Sequence, residues 1–347
     1  MHAGDVALQR RNFPLAHHPP SWHKPVMTDI ARIRAASARL AGKARRTPLL
    51  SSPFLDEIVG RRIFVKAECL QHTGSFKFRG AWSAISALDP EIRARGVIAF
   101  SSGNHAQGIA YAAKLHGTPA VIVMPFDAPK MKIENTRAYG AEVVLYDRIK
   151  EDRDAIGETL ASERGLTLIR PFDEPEVIAG QGTVGLEIAE QAAELGIASG
   201  EVLVPCGGGG LTSGIALALE SEAPAFTVRT CEPKGFDDIA RSLEAGEIRS
   251  NEPGAKSICD AIVTPHPGRI TFPIMKGLCS AGITVSDDDA RRAMALAFTR
   301  LKLVVEPGGA VALAAALFHR DKLSSDDVIV VASGGNVDPE AFATLFD

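Results

Sequence analysis

The chain has 347 residues, more than one domain usually holds, so two domains are expected. Its 38 basic and 42 acidic residues leave a net charge of −4, too balanced to attract a polyanion, and no nucleic-acid partner is expected. No run approaches the roughly 20 apolar residues that a bilayer span requires, and the five cysteines are scattered without CxxC or CxxH spacing, so no membrane, zinc or disulfide framework is expected and the thiols read as reduced in a cytoplasmic protein.

Residues 1–26 are rich in His, Pro and Arg and lack the apolar centre of a signal peptide, so they read as a flexible N-terminal extension. Ile30, Ile33 and Leu40 then recur at helical spacing, with Thr28 placed to cap the helix. Residues 62–67 read as a strand. Residues 97–100 read as another, leading into a helix over 104–115 that Gly117 closes. A strand over 120–124 precedes a helix ending near Gly140, and residues 142–146 form the next strand. Residues 202–204 run into a glycine cluster and then a helix from Leu211, with further strands over 226–231 and 328–332. Repeated strand-helix-strand units imply parallel sheets covered by helices, an α/β architecture.

Four segments carry chemistry. In Ser75-Phe76-Lys77-Phe78-Arg79-Gly80-Ala81, preceded by Gly74, the Gly-Ser pair reads as a turn and cap that puts Lys77 in a helix's first turn. An ammonium is disfavoured at that positive end, so the pKa should fall and favour the neutral amine needed for imine formation and proton abstraction. A solvated surface lysine is the plain alternative. In Cys206-Gly207-Gly208-Gly209-Gly210-Leu211-Thr212, backbone N–H groups can converge on an anion at a helix start. The run lacks the GKS or GKT of a nucleotide P-loop and the dinucleotide GxGxxG spacing, which leaves a phosphate cup or a tight turn. Ser101-Ser102-Gly103-Asn104-His105-Ala106-Gln107-Gly108 can surround a carboxylate with donors, or simply start a capped helix. Ser333-Gly334-Gly335-Asn336 is the fourth. Three of the four follow strands, whose carboxyl ends are where parallel sheets gather ligands.

In order and spacing, these segments, together with Ala179-Gly180-Gln181-Gly182-Thr183 and Glu306-Pro307-Gly308-Gly309-Ala310, resemble the fold-type-II pyridoxal-phosphate enzymes, specifically the threonine/serine dehydratase and serine racemase branch. The resemblance implies two three-layer, parallel-sheet domains with the active site between them. The large cofactor-binding domain would be 27–88 plus 174–347, and a small mobile substrate domain 89–173. It makes Lys77 the lysine that carries pyridoxal 5′-phosphate as a Schiff base, and Phe76 a wall against the ring. Asn104 would bond the cofactor's 3′-oxygen. Gly207, Gly208, Gly209, Gly210 and Leu211 would bind its phosphate, and Ser333 would face its ring nitrogen. Ser101, Ser102, Gly103, Asn104 and His105 would hold the substrate carboxylate, with Ser102 matching the second acid/base of the racemases. Glu232, the Phe236 carbonyl and Asp238 match a divalent-cation site suited to Mg²⁺ or Ca²⁺. An acidic helix start at Asp237 and Asp238 is the alternative. A homodimer or higher homo-oligomer is expected.

The implied reaction is β-elimination from a small hydroxy-amino acid, converting L-threonine or L-serine to a 2-oxo acid and ammonia. A 3-hydroxyaspartate dehydratase or a serine racemase are the alternatives. Threonine and serine differ by one methyl, which an apolar pocket separates by only about 1–3 kcal/mol. A 3-hydroxyaspartate dehydratase needs a further cation, for which Arg153 (roughly aligned with a racemase arginine), Arg137 and Lys132 are candidates. Phe172 in Arg170-Pro171-Phe172-Asp173 is dehydratase-like, whereas Asp260-Ala261 departs from the usual Asp-Gly.

Overall fold

Short β-branched runs that alternate with alanine-rich helices bury both faces only in a parallel sheet covered on two sides. The computed structural model, which describes residues 28–346 apart from Ser102, Pro129, Arg148 and the side chain of Asp154, has that arrangement twice. The strands among the described residues are β1 (Leu49–Ser51), β2 (Arg62–Lys66), β3 (Val97–Phe100), β4 (Ala120–Pro125), β5 (Glu142–Tyr146), β6 (Thr167–Leu168), β7 (Gly200–Pro205), β8 (Phe226–Pro233), β9 (Cys279–Val285) and β10 (Asp327–Val331). Six form one sheet in the order β1-β2-β10-β7-β8-β9, and four form another in the order β5-β4-β3-β6. Pairing is parallel throughout except where β1 runs against β2.

Side-chain alternation shows the layers. In the larger sheet Ile63, Val65, Leu203, Val328 and Val330 enter one core with helix Pro307–Phe318. Phe64, Val202, Val204, Ile329 and Val331 enter the opposite core with helices Pro175–Glu194 and Gly210–Glu222. The smaller sheet splits the same way, Ala99, Ile122 and Met124 on one side, Ile98, Val121 and Val123 on the other. Helix Lys77–Ala87 contributes Phe78, Ala81, Trp82 and Ile85 to the first of these cores, so it links the lysine motif to the second sheet.

The Ala179 to Thr183 segment proves to be a packing stripe within helix Pro175–Glu194. At Gly182 an added Cβ would lie 2.7 Å from Ile33 and 3.0 Å from the Gly214 carbonyl. At Gly180 a Cβ would lie 2.7 Å from Gly80 Cα, so the same stripe packs closely on both the lysine-bearing and the glycine-loop helices.

Several expectations are corrected. Asp29, not Thr28, caps the first helix by accepting from Arg32 N, while the Thr28 hydroxyl donates to the Pro175 carbonyl. β2 ends at Lys66 because the chain turns at Ala67 into a short 3-10 helix. The strand expected at 328–332 covers Asp327–Val331, and β8 extends to Pro233. Ser75 is not a cap: helix Lys77–Ala87 starts without a side-chain cap, and the buried Ser75 hydroxyl has no partner. The five cysteines are free thiols, and no helix among the described residues is long and apolar enough to cross a membrane.

Candidate active site

Three strand ends and one turn deliver the four segments to one place. The chain leaving β10 is stitched to the lysine motif by Phe76 N donating to the Ser333 carbonyl (3.1 Å), Gly335 N to the Gly74 carbonyl (2.9 Å) and Asn336 Nδ2 to the Thr73 carbonyl (2.8 Å). Gly74 is required here: its φ is +72°, and a Cβ would stand 2.6 Å from Asn336 Oδ1. The chain leaving β3 joins the same cluster through Asn104, whose Oδ1 accepts from Asn336 Nδ2 at 2.8 Å and whose Nδ2 donates to Glu306 Oε1 at 2.5 Å.

Lys77 is the first residue of its helix, and its Nζ donates to the Pro171 carbonyl at 2.8 Å. Burial lowers its pKa to about 8, against the pull of Glu306. The direction is the one expected from the sequence, but desolvation, not the helix end, is its main cause. His105 is buried too. Its Nε2 pairs with the Ile169 carbonyl at 3.0 Å, its Nδ1 has no partner, and burial together with Lys77 pushes its pKa to about 3. It is a neutral imidazole.

The glycine run leaves β7 and enters helix Gly210–Glu222. Gly209 has φ +92°, and a Cβ there would lie 2.5 Å from Met275 Cε. Gly208 and Gly210 face Phe172 so closely that a Cβ on Gly208 would collide with its ring. Phe172 thus walls the glycine cradle, while its neighbour Asp173 accepts from Arg269 N and Ile270 N. Ser333 is buried at the end of β10, and Phe76 lies beside Lys77, whose Nζ is 5.2 Å from the Phe76 ring centroid. Ser101 Oγ accepts from Gly103 N at 3.1 Å. Ser102 lies outside the described residues.

One participant carried no role in the sequence reading, and another was one of its three cation candidates. Glu306, at the start of helix Pro307–Phe318, is fully buried beside Asn104, and burial raises its pKa to about 7. Lys132 is buried, and its Nζ meets Asp260 Oδ2 at 2.8 Å. Burial opposes the charge, yet Glu306 and Asp260 hold this ammonium above its ordinary pKa. Only the Glu306-Pro307-Gly308-Gly309 spacing marked Glu306, and no local pattern set Lys132 apart from Arg137 and Arg153.

The cation candidates lie apart from this cluster. Glu232, buried at the end of β8, accepts from Ile239 N (2.9 Å) and Ala240 N (2.8 Å), so it caps helix Asp238–Ala245 from outside. Burial, then Asp238, raises the Glu232 carboxyl well above the usual range; burial also raises Asp238 to about 6. Asp238 Oδ2 is buried without a partner. Phe236 N donates to the Pro233 carbonyl in the intervening turn. Among the described residues no group of three or more His, Cys, Asp or Glu side chains is arranged for a metal. Arg153 is exposed, with its guanidinium 5.6 Å from the Phe100 ring centroid.

A buried amine with depressed pKa beside a glycine cradle that excludes side chains fits an aldehyde bearing a phosphate. The cradle's N–H groups suit the anion and the amine suits the aldehyde carbon. Comparison with known proteins points the same way. Residues 40–334 match the family model described as pyridoxal-phosphate dependent enzyme. An L-threo-3-hydroxyaspartate ammonia-lyase from Pseudomonas sp is 46% identical over 310 residues, 89% of this chain and 96% of that protein. An L-threonine ammonia-lyase from Thermotoga maritima is 39% identical over 312 residues, 90% of this chain and 76% of that protein. Among solved structures, maize serine racemase superposes with a TM-score of 0.85 at 40% identity, covering 92% of this chain and 97% of that one.

Proposed function

The chain belongs to the pyridoxal-phosphate dependent enzymes, and from that premise we propose that it is an ammonia-lyase that eliminates water from a β-hydroxy-α-amino acid, L-threonine and L-serine among them, and yields a 2-oxo acid and ammonia after hydrolysis. The observation that carries the reading is the buried Lys77 amine, with its pKa near 8, beside the glycine cradle. Lys77, Asn104, Gly207, Gly208, Gly209, Gly210 and Leu211 would hold the cofactor, with Phe76 and Ser333 as the residues that would meet its ring and its nitrogen. When bound, the cofactor supplies an electron-withdrawing ring conjugated to the substrate nitrogen, which acidifies the Cα proton.

The residues do the rest. The loop at 101–105 receives the substrate α-carboxylate. His105, neutral because burial strips its charge, adds no competing cation there. Lys77 Nζ, its pKa lowered to about 8 so that the neutral amine is accessible near that pH, takes the Cα proton. The β-hydroxyl leaves as water, carrying a proton that balances the one taken from Cα, and the resulting enamine takes one water back as it hydrolyses off the protein to a 2-oxo acid and ammonia. Closure of 89–173 over the cleft would exclude water during these steps. Glu232, Asp238 and the Phe236 carbonyl would hold a divalent cation between the end of β8 and the helix that follows it. The unpartnered Asp238 oxygen supports this, and cytoplasmic residence fits the free thiols.

A second reading has its own support. Elimination from 3-hydroxyaspartate needs a cation for the second carboxylate, and Lys132 is a buried ammonium beside the 101–105 loop; the Pseudomonas relative carries that activity in its name. Racemisation would need a second acid/base on the face opposite Lys77. The test is a substrate panel of L-serine, L-threonine and both 3-hydroxyaspartate diastereomers, read by keto-acid release and chiral chromatography. Keto acid from any of them upholds the ammonia-lyase reading. Inversion without keto acid, or no turnover at all, removes it.

A further inference from the structure

Three cations were candidates for a second substrate carboxylate, and the structure separates them. Arg137 and Arg153 are exposed. Lys132 is 4% exposed, and its Nζ lies 3.6 Å from where a Cβ on Gly103 would stand, against the 101–105 loop. It reaches the cleft from helix Lys130–Ala138 beside the smaller sheet. Its partner Asp260 sits in the 3-10 turn Asp260–Ile262, which packs on the glycine run: a Cβ on Gly207 would be 3.1 Å from Ile262 Cα.

The two partners are unequal. The ammonium is enclosed, whereas the Asp260 side chain is 49% exposed. An exposed carboxylate loses little on returning to water, so Asp260 is replaceable and Lys132 is not. Both line a cavity of about 230 Å³ that Asn336 and Pro307 also border. This space, which Arg291 and Asp338 also border, meets the Asn104–Asn336 pair at Asn336.

We propose that Lys132 reads a second, side-chain carboxylate on the substrate, which takes the place of Asp260, so that the site prefers β-hydroxylated dicarboxylic amino acids to monocarboxylic ones. This deepens the ammonia-lyase reading and rests on it for the amino-acid substrate. A monocarboxylic substrate leaves the Lys132–Asp260 pair intact and gains nothing from it. A dicarboxylic one exchanges a half-hydrated ion pair for an enclosed one.

The test uses the cofactor-loaded protein and binding, not turnover. L-Aspartate has both carboxylates and no β-hydroxyl, and L-alanine has one carboxylate; calorimetric titration measures each. Wild type should bind L-aspartate about 10- to 100-fold more tightly than L-alanine, the range for one charge-assisted contact in a desolvated site. Lys132→Met should abolish that ratio and leave L-alanine affinity within about threefold, Lys132→Arg should recover most of it, and Asp260→Asn, by removing the competing carboxylate, should increase it. A wild-type ratio near one, a ratio that survives in Lys132→Met, or equal loss of both ligands would overturn the proposal. Failure of the ammonia-lyase reading looks different: no keto acid from any hydroxy-amino acid while the binding preference persists.

Discussion

Asn104 and Glu306, 202 residues apart, are joined by a 2.5 Å hydrogen bond between Asn104 Nδ2 and Glu306 Oε1. The carboxyl is buried, and its second oxygen has no partner. Burial raises its folded pKa to about 7 from the ordinary 4.5. A raised carboxyl pKa favours folding below the unfolded value and loses that advantage as pH climbs through the folded one. Wild-type stability should therefore decline between pH 4.5 and 7 by about 3 kcal/mol on this group's account. Glu306→Gln removes the titration. The unfolding free energy of the variant minus that of wild type, from urea melts, should rise by that amount across the window. A flat difference would count against the assignment.

Lys77 predicts a pH dependence of another kind. In the cofactor-free protein its amine has a pKa of about 8, and only the neutral form attacks an aldehyde. The rate of pyridoxal-phosphate uptake, followed by the visible absorbance it produces, should rise with pH and level off above about 8. Lys77→Arg should develop no such band. Turnover of the loaded enzyme should fall at least about 10³-fold in Lys77→Ala, because the base is gone.

Gly209 is the position in the glycine run least able to accept a side chain, since its φ of +92° and the nearby Met275 Cε both oppose one. Gly209→Ala should destabilise the fold by about 1–3 kcal/mol and weaken cofactor binding at least about tenfold. Thermal melts with and without added pyridoxal phosphate measure the two effects. Ala at Gly60, where no atom lies within 4 Å of a Cβ, should show only the backbone cost.

What the sequence revealed was local. Val97–Phe100 and the glycine run were readable because a strand, its glycine exit and its helix are contiguous, and periodicity over a few residues identifies them. β6 and β9 were not: one has two residues, and the other, Cys279–Val285, exposes Ser280 and Ala281 at a sheet edge and shows no apolar run. The same division runs through the site. Lys77 and Gly208 sit in recognisable strings, whereas Lys132 meets Asp260 across 128 residues and no local pattern pairs them. Capping failed for a related reason. Glu232 caps helix Asp238–Ala245 from the preceding strand, six residues ahead of the helix, where no pattern at the helix start reveals it.

Asp238 adds to the burial that opposes ionisation of Glu232, burial raises Asp238 itself, and Asp238 Oδ2 lacks a donor. A divalent cation would relieve both. Adding Mg²⁺ or Ca²⁺ to the metal-stripped protein should raise the melting temperature, with about 2.7 kcal/mol of stabilisation at a hundredfold excess over Kd. Asp238→Asn should abolish the response. If wild type melts identically with either cation and with chelator, the carboxylates serve the helix start alone.

Arg79, two residues past Lys77, is held between Glu68 (Nη2 to Oε1, 2.7 Å) and Glu187 (Nη1 to Oε1, 2.7 Å), and Lys66 donates to the other oxygen of Glu187. All but Glu187 are fully buried. Burial alone would raise the Glu68 pKa, but Arg79 overrides it and holds the carboxyl below its usual value. Such a depressed carboxyl stabilises the fold above its unfolded pKa and loses that contribution as pH falls. Arg79→Met strands Glu68 without its partner and should cost about 3–5 kcal/mol at neutral pH. The deficit should shrink as pH drops and Glu68 takes a proton, so the melting curves of variant and wild type converge toward pH 4. The first turn of the Lys77 helix loses its anchor in the same variant, and cofactor retention should weaken with stability. A deficit that is unchanged from pH 7 to pH 4 would mean that Arg79 matters only for packing.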